Sequence, residues 1–251
     1  MKIVVIGGTG LVGSKLVHIL DEHGHDAVAA APSIGVNTFT GEGLPEVLAG
    51  ASVVVDVSNS PTLDDAALDF FRTATTNLLT AEKNAGVKHH VALSVVGTDR
   101  LAPHSGYFQA KLLQEQLISD GPIPFSIVHA TQFFEFIKTL ADSATVGDTV
   151  RMPPALFQPM ASADVAEGVA IAAVNEPVNS ITEIAGPEAF SLADAIRTAL
   201  TARGDTREVV ADPTARYWGI ELEERTLVPG IGATLFDTRL DEWVLEAAAM
   251  T

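Results

Sequence analysis

Two side chains near the middle of the chain, Tyr107 and Lys111, have the types and spacing needed for proton transfer. They stand four residues apart in a segment predicted to be helical, and residues four apart lie on one helix face. Because a nearby ammonium favours the phenolate, we expect Lys111 to lower the pKa of Tyr107 towards neutral pH. Such a tyrosine can give a proton to a carbonyl oxygen while hydride arrives at the carbon. The same spacing also occurs in ordinary amphipathic helices.

A third catalytic candidate, Ser94, stands near the end of the predicted strand 90–96. A hydroxyl in that position can hold the oxygen that Tyr107 protonates, as a hydrogen-bond donor in a transition-state pocket does. We therefore take Ser94, Tyr107 and Lys111 as the candidate catalytic residues.

A glycine-rich turn near the start of the chain predicts phosphate binding. The glycines at 7, 10 and 13 follow an apolar run at 3–6 and precede a predicted helix at 14–20. Such glycines let the turn tighten, let the backbone approach a phosphate, and let the helix pack close to the strand. Free N–H groups at the helix start then attract the anion. We expect a dinucleotide to be held by Gly7, Thr9, Gly10, Leu11, Val12 and Gly13.

Strands and helices alternate along the chain, which predicts an α/β fold with a doubly wound parallel sheet of the Rossmann type. The predicted strands cover 3–6, 27–31, 52–57, 90–96, 124–129 and 181–185, and the predicted helices cover 14–20, 43–48, 63–85 and 107–118. In such sheets ligands bind at the carboxyl ends of the strands, where the candidate residues fall.

The composition changes after about Gln132, where longer irregular stretches begin. We predict a dinucleotide-binding core over residues 1–131, completed by about 162–185. Residues 132–161 and 186–251 are expected to form a small substrate-binding cap over the carboxyl ends of the strands.

Composition excludes several classes of function. The 251 residues carry a net charge of −17, which disfavours binding to nucleic acid and to anionic membranes. There are no cysteines, so thiolate catalysis and cysteine-based metal sites are ruled out. The adjacent His89 and His90 should point to opposite faces of a strand, so we expect no metal site. Lacking a signal peptide or a spanning apolar run, the chain is expected in the cytoplasm, with a homodimer as the default assembly.

Four blocks of the sequence resemble the short-chain dehydrogenase/reductase superfamily, and within it the atypical branch with NmrA-like NAD(P)-binding domains. The blocks are Gly7–Gly13, Leu93–Gly97, the Tyr-x-x-x-Lys pair at 107 and 111, and Gln158–Ala166. The resemblance covers nearly the whole chain. It implies that Ser94 and Tyr107 assist the substrate oxygen and that Lys111 also binds the nicotinamide ribose. Asp164, in the last block, is expected to cap a helix.

The resemblance also concerns the choice of cofactor. Relatives that use NADP often carry Arg or Lys just after the second strand, whereas this chain has Ala31, Pro32 and Ser33. It equally lacks the acidic residue that holds the ribose 2′-OH of NAD. With Ser33 and Lys15 as donors, we expect NADP rather than NAD. The resemblance further places Ser58 and Asn59 at a wall of the cofactor cleft, although Asn-Ser-Pro is also a common turn sequence.

Residues that follow the predicted strand 124–129 are candidates for a substrate pocket. We expect His129, Thr131, Gln132 and Phe133 to line it, although relatives often have Arg at the position of His129. The phenylalanines of this segment are also typical of a hydrophobic core.

Together these observations predict an NAD(P)H-dependent reductase of a small carbonyl, quinone or conjugated ketone, with Tyr107 as proton donor. A non-catalytic NADP(H)-sensing regulatory protein is the main alternative. A sugar-nucleotide epimerase would need a large second lobe, and the segment after Gly186 is short for that role.

Overall fold

The computed structural model describes residues 1–62, 64 and 66–249, with side chains up to 246. Contacts divide the chain into two compact units. Unit 1 comprises residues 1–129 and 165–182, and unit 2 comprises residues 130–164 and 183–251. The sequence-based division into a dinucleotide-binding core and a substrate-binding cap, with boundaries at 131, 162 and 185, stays a prediction.

The strands are β1 Lys2–Ile6, β2 Asp26–Ala30, β3 Val53–Asp56, β4 His89–Val95, β5 Phe125–Ala130, β6 Thr145–Val146, β7 Thr149–Met152, β8 Leu156–Phe157, β9 Ser180–Ala185, β10 Phe190–Ser191, β11 Glu208–Ala211 and β12 Thr234–Leu235. The α-helices are α1 Gly13–Glu22, α2 Leu44–Leu48, α3 Ala66–Ala85, α4 Thr98–Leu101, α5 Gly106–Ser119, α6 Ile137–Ser143, α7 Ser162–Val174, α8 Leu192–Ala202 and α9 Leu240–Ala249. The predicted start of α3 at Leu63 lies outside the described residues.

The main sheet is parallel and has the strand order β12-β9-β5-β4-β3-β1-β2. Register places Ile6 beside Ala30 on one side and beside Asp56 on the other, so the strands around β1 end together. The predicted doubly wound parallel sheet is confirmed. Within this sheet one strand was missed, since β12 follows the predicted last strand 181–185 and pairs with Ile184 and Ala185 of β9. With two residues, it is too short to leave a periodic signal.

β1 is buried on both faces, as its β-branched sequence predicts. Ile3, Val4 and Val5 are fully buried and Ile6 is 3% exposed. Val4 and Ile6 pack with side chains of α2 and α3, and by alternation Ile3 and Val5 face the other side of the sheet. β1 is therefore a buried base for the residues that follow its carboxyl end.

The expectation that Asp164 caps a helix is wrong. α7 begins at Ser162, so Asp164 lies within the first turn, where it accepts a hydrogen bond from Thr238 Oγ1 at 2.8 Å. The backbone N–H of Ser162 instead donates to the carboxylate of Glu135 at 3.2 Å. A distant carboxylate thus takes the capping role, and the local sequence gives no sign of it.

Candidate active site

The turn after β1 is closed by contacts that leave no room for side chains. Gly7 has φ +80°, a conformation that suits glycine. A Cβ on Gly13 would stand 2.1 Å from the carbonyl oxygen of Gly7, and a Cβ on Gly8 would stand 2.7 Å from Cα of Ala29. Gly10 is less confined, because its Cβ would meet the same oxygen at 3.2 Å. The glycines therefore let α1 start directly against the end of β1.

The amino end of α1 is open to an anion. No side chain caps it, and among the described residues the backbone amides of Leu11 and Val12 have no hydrogen-bond partner. Orphan amides at a helix start, together with the helix dipole, favour a phosphate. The cradle thus fits the pyrophosphate of a dinucleotide, and the assignment of Gly7–Gly13 to the cofactor stays a prediction. Thr9 and Gly10 are exposed at the mouth of the turn.

The end of β3 lies against this turn and connects it to the candidate catalytic tyrosine. A Cβ on Gly7 would stand 2.9 Å from the backbone nitrogen of Ser58, so the two backbones nearly touch. The next residue, Asn59, accepts a hydrogen bond from the hydroxyl of Tyr107 at 3.0 Å. Glycine turn, Asn59 and Tyr107 therefore occupy one edge of the sheet.

The predicted tuning of Tyr107 by Lys111 is wrong. Burial raises the pKa of Tyr107 to about 12, and the hydrogen bond to Asn59 lowers it only in part. Lys111 lies one helical turn away, but its ammonium donates to Leu93 and Gln114 and not to this hydroxyl. Tyr107 is therefore a protonated phenol at neutral pH.

Lys111 is directed into the core of unit 1. Its ammonium donates to the carbonyl oxygen of Leu93 at 2.9 Å and to Oε1 of Gln114 at 2.5 Å. It also lies 4.8 Å from the ring centroid of Phe71, a cation–π contact. Burial lowers the pKa of Lys111 to about 8, while the charges of Asp56 and Glu115 oppose this change.

Ser94 belongs to a buried cluster that sequence reasoning found only in part. Its hydroxyl donates to Oε1 of Glu115, and Nε2 of His129 hydrogen-bonds to the same oxygen at 2.9 Å. All three residues are less than 7% exposed. The structure thus brings the predicted Ser94 and His129 together, through a carboxylate on α5.

Thr131, Gln132 and Phe133 belong to unit 2. The hydroxyl of Thr131 and both amide atoms of the Gln132 side chain are buried without a hydrogen-bond partner in the part of the chain described. Phe133 stacks on Phe136 with ring centroids 5.6 Å apart. Unpaired buried polar atoms are costly, which is consistent with a ligand or ordered water at this segment.

The segment after β2 carries no acidic side chain. Pro32–Ile34 forms a single helical turn that ends at Gly35, and Ser33 is exposed there. Lys15 is exposed on α1 and donates to the carbonyl oxygen of Leu11 at 3.1 Å. The only nearby carboxylate of β2, Asp26, lies at its opposite end.

Sequence reasoning missed Asp56, Gln114 and Glu115. Gln114 and Glu115 follow Lys111 closely on α5, and Asp56 interrupts a run of valines. A charged residue at the end of an apolar strand was the available signal. The hydrogen bond between Asp56 and Gln114 could not be predicted, because the two residues are 58 positions apart in the sequence.

No cluster of three or more metal-ligating side chains was found among the described residues. In the same part of the chain, no helix has both the length and the apolar character needed to cross a membrane.

No family model matches the chain. Its sequence is similar to that of an NAD(P)H azoreductase of Xenophilus azovorans. The identity is 28% over an alignment of 256 residues, which covers 92% of this chain and 81% of that protein.

Solved structures share the fold at low sequence identity. A short-chain dehydrogenase/reductase superfamily protein from Agrobacterium tumefaciens with bound NAD has a TM-score of 0.75 and 18% identity, covering all of this chain and 96% of that one. An NADPH-dependent quinone oxidoreductase from Escherichia coli has a TM-score of 0.68 and 16% identity, with 98% and 99% covered. Nucleotide-sugar epimerases have the same fold.

Proposed function

We propose that this chain, which has the NAD(P)-binding fold of the short-chain dehydrogenase/reductase superfamily, is an NAD(P)H-dependent reductase of a small carbonyl, quinone or conjugated ketone. The observation that carries the proposal is the continuous edge formed by the glycine turn, Ser58, Asn59 and Tyr107. It places an anion-binding helix start and a proton-bearing phenol on the same strand ends.

Each group has a defined part in the proposed reaction. A bound reduced nicotinamide would supply the hydride. The turn from Gly7 to Gly13 holds the pyrophosphate, and Ser58 and Asn59 form a wall of the cleft. Tyr107 gives its proton to the substrate oxygen, a step for which a protonated phenol is the required form. Lys111 would bind the nicotinamide ribose through the third N–H of its ammonium, since the other two donate to Leu93 and Gln114. Ser94 would turn its hydroxyl from Glu115 to the substrate oxygen, with help from residues around His129.

The substrate class is supported by the azoreductase and quinone oxidoreductase similarities. Azo compounds, quinones and conjugated ketones share a polarised double bond that accepts a hydride at one atom and a proton at another. Thr131, Gln132 and Phe133 are proposed substrate contacts, because their segment holds the unpaired polar atoms.

The experiment is a binding titration with NADPH and with NADH, followed by a panel of carbonyl, quinone and azo acceptors read at the nicotinamide absorbance. We expect micromolar cofactor binding and oxidation by at least one conjugated acceptor. Cofactor binding without oxidation by any member of the panel would contradict the proposed reductase activity.

We further propose NADPH as the preferred cofactor, since no carboxylate follows β2 to hold a ribose 2′-OH. Ser33→Asp should place a negative charge near the 2′-phosphate and weaken NADPH binding relative to NADH by about tenfold or more. Ser33→Asn, which is similar in size and neutral, is the matched control. An equal loss for both cofactors in the Asp variant would show that Ser33 lies away from the phosphate.

A regulatory sensor of NADP(H) is the second candidate. It is favoured by one observation: the polar groups of Tyr107, Lys111 and Ser94 are all engaged with other residues of the protein. A sensor would bind cofactor tightly, turn over no acceptor and change its affinity for a protein partner. For either function we also propose a homodimer, which size measurement in solution would test, and a cytoplasmic location, which cell fractionation would test.

A further inference from the structure

A chain of buried hydrogen bonds connects Lys111 to the strand end beside the glycine turn. Lys111 Nζ donates to Gln114 Oε1 at 2.5 Å, and Gln114 Nε2 donates to Oδ2 of Asp56 at 3.0 Å. The other carboxylate oxygen, Oδ1, accepts from the backbone N–H of Ser58 at 2.9 Å and from its hydroxyl at 2.6 Å. Gln114 therefore bridges an ammonium and a carboxylate that do not touch each other.

These hydrogen bonds are buried, so the loss of one partner would leave a charged or polar group unpaired in the core. Lys111, Gln114 and Asp56 are 3%, 1% and 4% exposed, so each charge depends on the partners described. The orientation of the Gln114 amide is determined by its neighbours, because the ammonium requires an acceptor and the carboxylate requires a donor. A neutral amide offers both without itself taking up or losing a proton.

At both ends of this series of hydrogen bonds lie residues that the proposed function assigns to the cofactor. At one end Asp56 holds Ser58, whose backbone abuts Gly7. At the other end Gln114 and the carbonyl oxygen of Leu93 hold Lys111. Strand β3 and helix α5 are thereby fixed to each other at the cleft.

We propose that Asp56 and Gln114 are positioning residues for cofactor binding: they hold Lys111 and Ser58 at a fixed separation and keep Lys111 charged. This inference rests on the proposed function only for the contact between Lys111 and the cofactor.

The electrostatic surroundings of Lys111 support the second part of the inference. Burial disfavours its charge, and the carboxylates that offset this are Asp56 on β3 and Glu115 on α5. The groups packed on it from α3 and β4 are the Phe71 ring and the Leu93 carbonyl, which do not titrate. Removing the charge of Asp56 should therefore let Lys111 lose its proton at lower pH.

The test follows Lys111 in two ways, through the pH dependence of NADPH affinity and through its side-chain NMR signals without cofactor. In the unmodified protein we expect both to change near pH 8. In Asp56→Asn both transitions should move to lower pH, and NADPH binding at pH 7.5 should weaken about threefold if the transition moves from pH 8 to pH 7, because the charged fraction of Lys111 falls by that factor. Gln114→Leu breaks the bridge while leaving the Ser58 turn intact, and it should shift the transitions in the same direction.

Asp212→Asn is the matched control, because it makes the same chemical change at a carboxylate of unit 2. Asp212 pairs with Arg151 at 3.1 Å, and the charges that act on Lys111 are those of Asp56 and Glu115. This variant should move neither transition.

The outcomes separate the two proposals. Unmoved NMR transitions in folded Asp56→Asn and Gln114→Leu would overturn the inference. Moved NMR transitions with an unmoved affinity profile would support the positioning of Lys111 and refute its assigned contact with the cofactor.

Discussion

Tyr107 keeps its proton because burial outweighs the hydrogen bond that its hydroxyl donates to Asn59. The pKa of Tyr107 is raised to about 12, and Asn59 offers only a neutral acceptor. A phenol in this state is a proton donor throughout the neutral range and is unsuited to act as a base there. The proposed reduction needs this protonated form, in which Tyr107 could give its proton to the substrate oxygen.

Tyr107→Phe should lower kcat by about 10²- to 10⁴-fold, since the proton donor is removed from the reaction. NADPH affinity should change less than about twofold, because the phenol does not contact the phosphates. Steady-state kinetics and fluorescence titration measure the two effects. Tyr217→Phe, which alters the only other tyrosine, is the control and should retain activity. Full activity of the first variant would assign the proton to solvent.

At the scale of elements, the glycine turn and α1 pack against each other and together form the proposed phosphate site. The contact between Gly13 and the carbonyl oxygen of Gly7 sets how closely the helix approaches the strand. The open helix end then has its amides at the strand edge, and Ser58 lies against the same turn.

Gly13→Ala should abolish cofactor binding and lower the free energy of unfolding by more than about 2 kcal/mol, since its Cβ would collide with backbone. Gly24→Ala is the matched control at the other end of α1, where φ is +80° and no atom lies within 4 Å. It should cost roughly 1 kcal/mol and leave cofactor binding unchanged. Chemical denaturation and cofactor titration check both. Intact binding by Gly13→Ala would remove the turn from the site.

At the scale of the whole molecule, buried histidines on β4 couple folding to pH. Nε2 of His89 hydrogen-bonds to Oγ of Ser126 at 2.9 Å, and the backbone N–H of Val178 donates to the same Oγ at 3.2 Å. His89 is 3% exposed, which disfavours the charged form of its ring. Burial, followed by the neighbouring His90, lowers the pKa of His89 to about 4.

Acidification should destabilise the protein through His89. Between pH 6.5 and 4 the unfolded chain binds a proton that the fold excludes, so stability falls as pH falls through this window. From pH 7 to pH 5 this loss should be about 2 kcal/mol in the unmodified protein and largely absent in His89→Gln. Urea unfolding at the two pH values measures it. His18→Gln, an exposed site, is the control, and an equal pH response in both variants would contradict the assignment.

The sequence by itself determined the local features. The β-branched run at 3–6, the glycine spacing and the alternation of strands and helices specify the Rossmann-type sheet and its phosphate turn, because each depends on neighbours within a few residues. Only the tertiary structure decided the state of the polar side chains. Tyr107 donates its hydrogen bond to Asn59 and makes none with Lys111. Lys111 donates to Gln114, and Ser94 donates to Glu115. These partners come together through packing of β3, β4 and β5 against α5, and burial then sets which of them hold a proton.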